Sequence, residues 1–236
     1  MVKRLFDVVA AAVALATFAP LLALAALGVR LSSPGPVLYR ARRAGLGGRP
    51  FTMYKLRTMH VARDAGGSPV TAANDPRVFP FGRLLRRTKI DEVPQLFNVL
   101  RGDMAIVGPR PEELAIVERL YTPVHHLTLR VRPGLASPGS LYQYTHGDAW
   151  LADGDPETRY ATRLLPVKLA LELIYLRRAS FGYDLAIIAR TLWVIAAIVG
   201  GRRIFPPPRE LQEAAGLLHP RVRPFVPRRV DVARAS

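Results

Sequence analysis

Two adjacent carboxylates, Asp91 and Glu92, lie between a cluster of arginines and a Pro-Arg-Pro segment. Arg83, Arg86 and Arg87 are spaced i, i+3 and i+4, so they would share one face of a helix. A carboxylate that attacks a phosphate ester needs cations nearby, because they neutralise the phosphoryl oxygens and reduce charge repulsion. The spacing therefore indicates phosphate chemistry, with one carboxylate as nucleophile and the other as base.

The same two acidic residues also suit the start of a helix. Asp91 is well placed as the N-cap of a helix whose first turn tolerates Pro94, and Glu92 would interact favourably with the helix dipole. Glu92 would also point away from Asp91, since successive helical residues are about 100° apart around the axis. In this interpretation the arginines form a solvated face. The acidic pair by itself is compatible with both roles.

The surrounding pattern favours the chemical role. In order along the chain stand Arg86-x-Thr88, Asp91-Glu92-x-Pro94-Gln95, Asn98-Val99, Gly102-x-Met104 and Val107-Gly108-Pro109-Arg110-Pro111. With this pattern the chain resembles the bacterial sugar transferase family, the monotopic polyprenyl-phosphate phosphoglycosyl transferases. The resemblance extends from Lys3 to about Gly200, through Lys3-Arg4-Leu5-Phe6-Asp7, Ser33-Pro34-Gly35-Pro36, Tyr54-Lys55-Leu56-Arg57-Thr58, Asn74-Asp75-Pro76-Arg77 and Val131-Arg132-Pro133-Gly134.

The resemblance implies a reaction in two steps. An aspartate at the position of Asp91 attacks a UDP-sugar, releases UMP and retains the sugar phosphate, which polyprenyl (undecaprenyl) phosphate then collects. The glutamate at the position of Glu92 assists the attack of the lipid phosphate, and the arginine at the position of Arg86 holds that phosphate. Mg²⁺ assists at the aspartate. The expected product starts the assembly of an exopolysaccharide, O-antigen, capsule or glycoprotein glycan.

Other cations of these motifs are assigned to ligand binding. Two prolines, Pro109 and Pro111, fix the backbone around Arg110. We expect Arg110, together with Pro109, to contact phosphate or nucleotide; the alternative is a structural arginine that caps a helix C-terminus. The remaining assignments are phosphate or lipid for Lys55 and Arg57, and the nucleotide or sugar region for Arg77 and Arg132.

Any metal ion is expected to be bound by oxygen. His125 and His126 are neighbours that point apart, no His-x-x-x-His occurs, and His146 lies in a turn-like stretch. Mg²⁺ needs only one or two carboxylates in addition to substrate phosphates, and Asp91 with a pyrophosphate could supply them. The absence of cysteine excludes disulfides and thiol catalysis, as expected for a domain that faces the cytoplasm.

The charge balance indicates an anionic partner. Lys plus Arg is 34 and Asp plus Glu is 18, which leaves +16 in 236 residues. This excess suits an anionic membrane, but also the alternative of a membrane-tethered, basic nucleic-acid-binding protein. Such a binder has no need of Asp91 or Glu92, and no known RNA module is visible. The expected partners are therefore a UDP-sugar, undecaprenyl phosphate and anionic inner-membrane lipids, with no nucleic acid; a homo-oligomer is left open.

The N-terminal segment is a predicted membrane anchor over residues 1–33. Leu5 to Val29 is almost wholly apolar and long enough to cross a bilayer, and longer than the apolar region of a signal peptide. Both flanks are basic, as expected of cytoplasmic sequence, and Pro20 could break the helix. The resemblance implies a re-entrant helix-break-helix, with the catalytic domain on the cytoplasmic face of the bacterial inner membrane. We expect Arg4 to lie among phosphate headgroups.

The predicted fold is α+β and predominantly helical, with a catalytic domain over residues 34–200 and a basic, Pro-rich, largely extended tail over 201–236. A small β-hairpin is expected over Val37–Arg40 and Phe51–Arg57, and a mobile surface loop over Arg63–Pro76. Helices, some of them amphipathic and interfacial, are expected over Phe81–Leu100 in two pieces, Pro111–Tyr121, Leu164–Leu176 and Tyr183–Gly200. The last of these helices could instead be a second membrane span. Leu135–Asp148 departs from the family pattern, which leaves the donor sugar open.

Overall fold

The computed structural model describes residues 1–61, 75–151 and 155–218. Most of these residues are helical, and the strands form two small two-stranded sheets. The predicted α+β, predominantly helical class is confirmed. The expected surface loop over 63–76 lies outside the described residues except for its last two.

The first sheet is the predicted hairpin. β1 (Leu38–Ala44) pairs antiparallel with β2 (Pro50–Leu56) along its whole length. In the connection, Gly47 and Gly48 have φ angles of 66° and 75°, a region that glycine enters without a Cβ clash. The hairpin therefore has a tight end, and both strands are available to pack on helices.

The acidic pair lies in a connection between two short helices, α2 (Pro80–Thr88) and α3 (Gln95–Arg101). A single 3-10 turn, Ile90–Glu92, joins them. Asn98 of α3 is fully buried; its Oδ1 accepts from the N–H of Tyr54 at 3.1 Å, and its Nδ2 donates to the carbonyl of Thr52 at 2.7 Å. Through this side chain, α3 is fixed to β2, so the connection lies beside the hairpin.

The N-terminal segment is one helix, α1 (Val2–Ser32), with Pro20 inside it. The expected interruption of the helix at Pro20 is wrong, since the residues on both sides of it remain helical. One proline removes a single hydrogen bond, and tertiary packing supplies most of the stability of a helix in a protein.

That packing involves both ends of α1. Its buried residues are Asp7, Ala11, Ala25 and Val29. They form two pairs, each four residues apart, that share one stripe of the helix on either side of a more exposed middle. Ala11 belongs to an apolar cluster with the hairpin and α3, and Val29 to one with β2 and α2. Both ends of the helix therefore lie against the same folded unit.

Arg4 has a different partner from the expected headgroups. Its guanidinium donates to the carbonyl oxygens of Val99 and Leu100, at 2.6 and 3.1 Å, at the end of α3. The last carbonyls of a helix have no partner within the helix, and the helix dipole favours a cation there. Arg4 thus caps α3 and ties α1 to the segment that carries the acidic pair.

A second sheet was not predicted from the sequence. β3 (Ala105–Val107) pairs in parallel with β4 (Gly134–Ala136). Immediately beyond β3, Gly108 lies so close to Gly134 that a Cβ on Gly134 would come within 2.1 Å of the Gly108 nitrogen. Only glycine permits this approach, which explains why both the Gly-Pro-Arg-Pro and the Arg-Pro-Gly motifs contain one.

The remaining helices form the larger core. They are α4 (Leu114–Leu120), α5 (Pro138–Leu151), α6 (Pro156–Arg159), a π-helical turn over Tyr160–Leu164, α7 (Leu165–Arg178) and α8 (Phe181–Val199). Ten of the fourteen residues of α7 are buried, and its main apolar cluster includes side chains of α5. The turn expected around His146 is wrong, because His146 lies within α5.

The segment after Gly201 is only partly extended. Residues 202–208 have no regular structure, but α9 (Leu211–Ala215) is helical. Leu211 and Ala214 are buried in the cluster formed by α5 and α7, and Glu210 forms an ion pair with Arg190 of α8. The expectation of an extended tail is therefore wrong for these residues, which complete the core.

Within the described parts of the chain, two helices, α1 and α8, are long and apolar enough to cross a membrane by length and composition. Both are mostly exposed in the folded chain. Large apolar side chains are exposed on both: Val2, Leu5, Val9, Val13, Phe18, Leu21, Leu24, Leu27 and Leu31 on α1, and Phe181, Leu185, Leu192, Trp193 and Val199 on α8. Exposed apolar surface of this extent fits contact with lipid.

The packing of α9 predicts a stability effect for its apolar residues. Replacement of the buried Leu211 by alanine should lower the free energy of unfolding by about 2–5 kcal/mol, because it removes core contacts and leaves a cavity. The matched control is Leu217→Ala in the same segment, at an exposed position, where a change below about 0.5 kcal/mol is expected. Urea unfolding of the detergent-solubilised protein measures both. Equal, small effects would mean that α9 does not pack on the core in solution.

Candidate active site

Glu92 is held on both of its oxygens. Arg110 contacts it with two nitrogens, Nη2 at 2.9 Å from Oε1 and Nη1 at 3.3 Å from Oε2. Lys55 Nζ lies 3.3 Å from Oε1, and the Tyr144 hydroxyl donates to Oε2 at 3.1 Å. A guanidinium that meets a carboxylate with two nitrogens fixes its orientation as well as its charge. Glu92 is therefore an immobilised, ionised group.

The pKa of Glu92 lies well below the ordinary range for a glutamate. Burial alone would raise it, but the charges of Arg110, Lys55 and Lys89 together lower it further. A carboxylate with such a low pKa is a weak base. The surroundings of Glu92 thus favour a fixed negative charge that orders the cations around it.

Asp91 has the opposite environment. It is buried, and its Oδ1 atom has no hydrogen-bond partner. It lies inside the 3-10 turn and makes no capping hydrogen bond, so the expected N-cap role is wrong. A buried polar atom without a partner costs free energy and needs an explanation, such as a functional role.

Burial, with help from the negative charge of Glu92, raises the pKa of Asp91 to about 6, although Lys55, Lys89 and Arg86 act in the opposite direction. At neutral pH the side chain is therefore mostly ionised while its Oδ1 oxygen has no donor. This combination is what a carboxylate nucleophile requires.

Lys89 is a site residue that the sequence analysis missed. Its φ angle of 58° makes it the one non-glycine residue with positive φ in the described parts of the chain. Its ammonium lies 3.5 Å from the ring centroid of Tyr144, a cation–π contact. Burial lowers the pKa of Lys89 to about 8. Its position two residues before Asp91, at the boundary between two helical segments, was the available sequence signal.

Tyr144 is the second missed residue. It lies on α5, in the stretch that departs from the family pattern, so no motif pointed to it. Besides contacting Glu92, its hydroxyl accepts a hydrogen bond from Arg110 Nη1 at 3.0 Å. Burial raises the pKa of Tyr144, so the hydroxyl remains protonated and able to donate to Glu92.

The parallel pair of strands places Arg110. The N–H of Gly108 donates to the carbonyl of Ala136 at 3.0 Å, and the N–H of Gly134 donates to that of Pro109 at 2.9 Å. Arg110 therefore follows directly from the carboxyl end of β3, while α5 follows from the carboxyl end of β4. Parallel strands end at the same edge, and this edge delivers both Arg110 and Tyr144 to Glu92.

Arg86 and Arg87 serve different sites. Arg86 Nε donates to the Thr58 hydroxyl at 2.8 Å, and its charge acts on Asp91. Arg87 donates instead to the carbonyls of Ile198 and Val199, at the end of α8. Arg83 is exposed. Of the three arginines on α2, Arg86 is thus the one that the structure associates with the acidic pair.

Three other predicted ligand-binding arginines make different contacts. Arg57 is buried, and its donors bind the carbonyls of Ser33 and Pro36, both at 2.6 Å. Arg77 forms an ion pair with Asp75, and Arg132 donates to the carbonyl of Gly102. The structure does not bring these three into the group of side chains that contact Glu92, whereas it does bring Lys55 and Arg110 there.

Asp91 could supply an oxygen ligand to a magnesium ion. Among the described residues, no three His, Cys, Asp or Glu side chains form a group that could hold a metal by themselves. Mg²⁺ needs only one or two carboxylates, since it takes its other ligands from water and substrate phosphates. The unpartnered Oδ1 of Asp91 is a suitable oxygen donor for such an ion.

Comparison with known proteins identifies the family. Residues 1–197 match the bacterial sugar transferase family. The chain is 43% identical over 192 residues to a UDP-glucose:undecaprenyl-phosphate glucose-1-phosphate transferase of Caulobacter vibrioides, an alignment that covers 80% of this chain and 68% of that protein. It is 36% identical over 210 residues to the exopolysaccharide production protein ExoY of Rhizobium meliloti, covering 81% and 84% of the two chains.

A third relative differs in its named sugar. The UDP-N-acetylgalactosamine-undecaprenyl-phosphate N-acetylgalactosaminephosphotransferase of Aeromonas hydrophila is 36% identical over 203 residues, which cover 85% of this chain but 45% of the Aeromonas protein. The matched region is thus less than half of that relative. Because the family match spans nearly the whole described chain, the resemblance inferred from the motifs is confirmed: the chain belongs to the bacterial sugar transferase family and is an enzyme of that class.

Proposed function

We propose that this enzyme transfers a sugar 1-phosphate from a UDP-sugar to undecaprenyl phosphate through a covalent intermediate on Asp91. The observation that carries the proposal is the contrast between the two carboxylates. Asp91 is ionised, buried and has a free Oδ1, while Glu92 next to it is fully bonded to cations and a hydroxyl. The names of the relatives supply the substrate classes.

In the first step, a carboxylate oxygen of Asp91 attacks the phosphorus that carries the sugar. A P–O bond forms to the carboxylate, the bridging P–O bond of the pyrophosphate breaks, and UMP leaves. In the second step, an oxygen of undecaprenyl phosphate attacks the same phosphorus. The bond to Asp91 breaks, which restores the carboxylate and releases the lipid diphosphate sugar. Each step is a phosphoryl transfer, so positioning and charge stabilisation supply most of the catalysis.

The cations around the acidic pair suit this chemistry. Arg86 and Lys89 both act electrostatically on Asp91, and neither forms an ion pair with it in the structure. They are therefore available to neutralise phosphoryl oxygens as the nucleophile approaches. We assign Arg86 to the phosphate of the lipid acceptor. Lys55 and Arg110, which are bound to Glu92, add two more cations to this positively charged surface. The phosphates of the donor and of the lipid acceptor can both bind there.

Glu92 acts in this scheme mainly through its charge. Its low pKa makes proton abstraction from the lipid phosphate inefficient, whereas its bonds to Arg110 and Lys55 keep two cations beside the nucleophile. When bound at Asp91, Mg²⁺ would neutralise negative charge on the phosphoryl oxygens. The protein side chains would still orient both substrates.

We further propose a monotopic arrangement on the cytoplasmic face of the inner membrane. The two ends of α1 both pack on the catalytic unit, Arg4 against α3 and Val29 against α2. A helix held in this way does not carry its N-terminus to the far side of a bilayer from its own domain. The exposed apolar residues of α1 and α8 provide lipid contact, and a position at the interface gives access to a polyprenyl acceptor.

The donor is proposed to be a UDP-hexose, and the product to start a surface polysaccharide. The relatives are named for different sugars, glucose and N-acetylgalactosamine, so they define the class and not the individual donor. Incubation of the enzyme in lipid nanodiscs with undecaprenyl phosphate and a panel of UDP-sugars, with UMP as the readout, tests the proposed reaction. UDP as the released nucleotide would contradict phosphoglycosyl transfer.

Asp91→Asn should abolish the reaction. The amide is not a nucleophile, so we expect UMP release to fall by at least about a hundredfold, because each ~1.4 kcal/mol of barrier costs tenfold in rate. Asp155→Asn is the matched control, since Asp155 caps a helix and asparagine caps equally well. A sugar-phosphate adduct on residue 91, seen by mass spectrometry, is the positive test. Turnover by Asp91→Asn above a hundredth of the wild-type rate would rule out the covalent step.

Arg86→Ala should impair the second step more than the first. If Arg86 holds the lipid phosphate, the burst of UMP formed without acceptor should persist while transfer to undecaprenyl phosphate is lost. Arg86→Lys should restore only part of the transfer, since a point charge does not reproduce a guanidinium contact. The neighbouring Arg87→Ala is the control. Equal losses in both steps would contradict the assignment to the acceptor.

The membrane arrangement predicts that the N-terminus is inside the cell. The chain has no cysteine, so Val2→Cys creates a single labelling site. An impermeant thiol reagent should label this variant in lysed cells and not in intact ones. Strong labelling in intact cells would mean that α1 crosses the membrane, and the monotopic proposal would have to be abandoned.

A further inference from the structure

A buried carboxyl group on α7 lies behind the site without touching the acidic pair. Glu172 is 3% exposed, and its Oε1 accepts hydrogen bonds from the Ser137 hydroxyl at 2.6 Å and from the backbone N–H of Arg110 at 3.3 Å. The Ser137 oxygen also accepts from the N–H of Ser140 at 2.9 Å, in the first turn of α5. One oxygen atom thus joins the start of α5 to the segment that carries Arg110.

The first turn of α5 lies directly on this carboxyl group. A Cβ on Gly139 would come within 2.5 Å of Glu172 Oε1, so the backbone approaches the acid as closely as glycine allows. The helix cannot move toward α7 without a clash, and it cannot move away without breaking the bond to Ser137. Glu172 therefore sets the position of α5 along this edge.

The two elements that meet at Glu172, the segment after β3 and α5, also carry side chains that bind Glu92. The segment after β3 presents the Arg110 guanidinium, and α5 presents the Tyr144 hydroxyl, to the two oxygens of Glu92. We propose that Glu172 is a positioning residue that fixes Arg110 and Tyr144 relative to each other and thereby orders Glu92 and its cations. The inference rests on the proposed function, in which that ordered group binds the reacting phosphate.

The protonation of Glu172 should control this arrangement. Its Oε2 is buried and has no hydrogen-bond partner. Burial raises the pKa of Glu172 to about 7, although Ser137, the Arg110 N–H and Lys168 act against the rise. As a neutral acid it holds the two elements; once ionised, it places charge on an oxygen that nothing satisfies, and the local packing must shift to solvate it.

The neighbouring charged groups compensate that charge only in part. On α7, Lys168 binds Glu112 at 2.7 Å and the Tyr160 hydroxyl at 2.8 Å. Glu112 and Arg110 face Glu172 from the segment after β3, and Tyr121 and Tyr175 are the other titratable groups nearby. Burial raises the pKa of both tyrosines, so they remain neutral near pH 7. Glu172 accordingly has a pKa in the neutral range, where a change of pH alters its charge.

Two substitutions distinguish the hydrogen bonds of Glu172 from its ionisation. Glu172→Gln keeps an acceptor oxygen and cannot ionise, so at about pH 6 its kcat should stay within about threefold of wild type. Between about pH 6 and pH 8 the ratio of its rate to the wild-type rate should rise, because only wild type ionises. Glu172→Ala should lower kcat about ten- to a hundredfold with little change in KM for the UDP-sugar, since it disturbs alignment and not donor binding.

Tyr183→Phe is the control for general loss of buried hydrogen bonds. It removes a bond to Glu210, away from the site, and should change neither kcat nor the pH profile. Thermal unfolding gives a readout without activity. The raised pKa of folded Glu172 means that wild type is favoured relative to Glu172→Gln at low pH and loses that advantage as pH rises through about 7.

The outcomes distinguish a failure of the proposed function from a failure of the positioning role of Glu172. If wild type releases no UMP with any UDP-sugar, the proposed function fails. If wild type is active and the rate ratio of Glu172→Gln to wild type stays constant with pH, the positioning role with its protonation switch is overturned. Wild-type kcat in Glu172→Ala would overturn it as well. Should Glu172→Ala fail to fold, the pH dependence of Glu172→Gln alone decides.

Discussion

The structure depends on how a buried 3-10 turn accommodates two adjacent carboxylates. Neither Asp91 nor Glu92 is more than 9% exposed, and two neighbouring negative charges in such surroundings are costly unless cations compensate them. The compensation comes from separate parts of the chain: Lys55 from the hairpin, Arg110 from the end of β3 and Lys89 from the end of α2. The acidic pair can be buried only when these elements are assembled around it, so the site and the fold require each other.

The distribution of these cations gives Asp91 and Glu92 different pKa values, although the two residues are adjacent in sequence. Arg110 and Lys55 bind Glu92 directly, and its pKa falls; Asp91 has no such bond, and its pKa rises. Environment, and not residue type, separates the roles, as in enzymes that use paired carboxylates for different tasks. The left-handed backbone at Lys89 is part of this arrangement, since a strained conformation persists only where surrounding structure supports it. Here it places an ammonium on the ring of Tyr144, beside the pair.

Residues that act through local sequence could be predicted, and those that act through tertiary contact could not. The hairpin, the paired helices around Asp91 and the presence of Arg110 beside the acidic pair follow from patterns within a few residues of each other. Arg57 and Arg4 show the limit, because a guanidinium in a motif looks the same whether its partner is a phosphate or a backbone carbonyl, and only the fold supplied the carbonyls. β3 and β4 are too short to show any periodicity.

The helix α5 illustrates a different failure. Pro138, Gly139 and Ser140 are turn-forming residues, yet proline is also favoured at the first helical position and serine before it as a cap. Ser137 does accept a hydrogen bond from the Ser140 N–H, so the signals were those of a helix start. This stretch departs from the family pattern. The resemblance therefore could not correct the prediction of a turn around His146. Tyr144 was missed for the same reason.

The N-terminal helix α1 also forms hydrogen bonds to β3, the strand that precedes Arg110. Lys3 donates to the carbonyl of Val107 at 3.0 Å and forms an ion pair with Asp184, while the N–H of Ile106 donates to Asp7 at 3.2 Å. Arg110 follows three residues after Val107, so its place is determined by α1 on one side of β3 and by α7 on the other. The helix with the most lipid-compatible surface is thus bonded to the strand that presents the main cation of the site. In the proposed function the acceptor remains in the membrane, so the reacting groups have to lie at a fixed depth. These contacts couple the position of α1 to the position of Arg110.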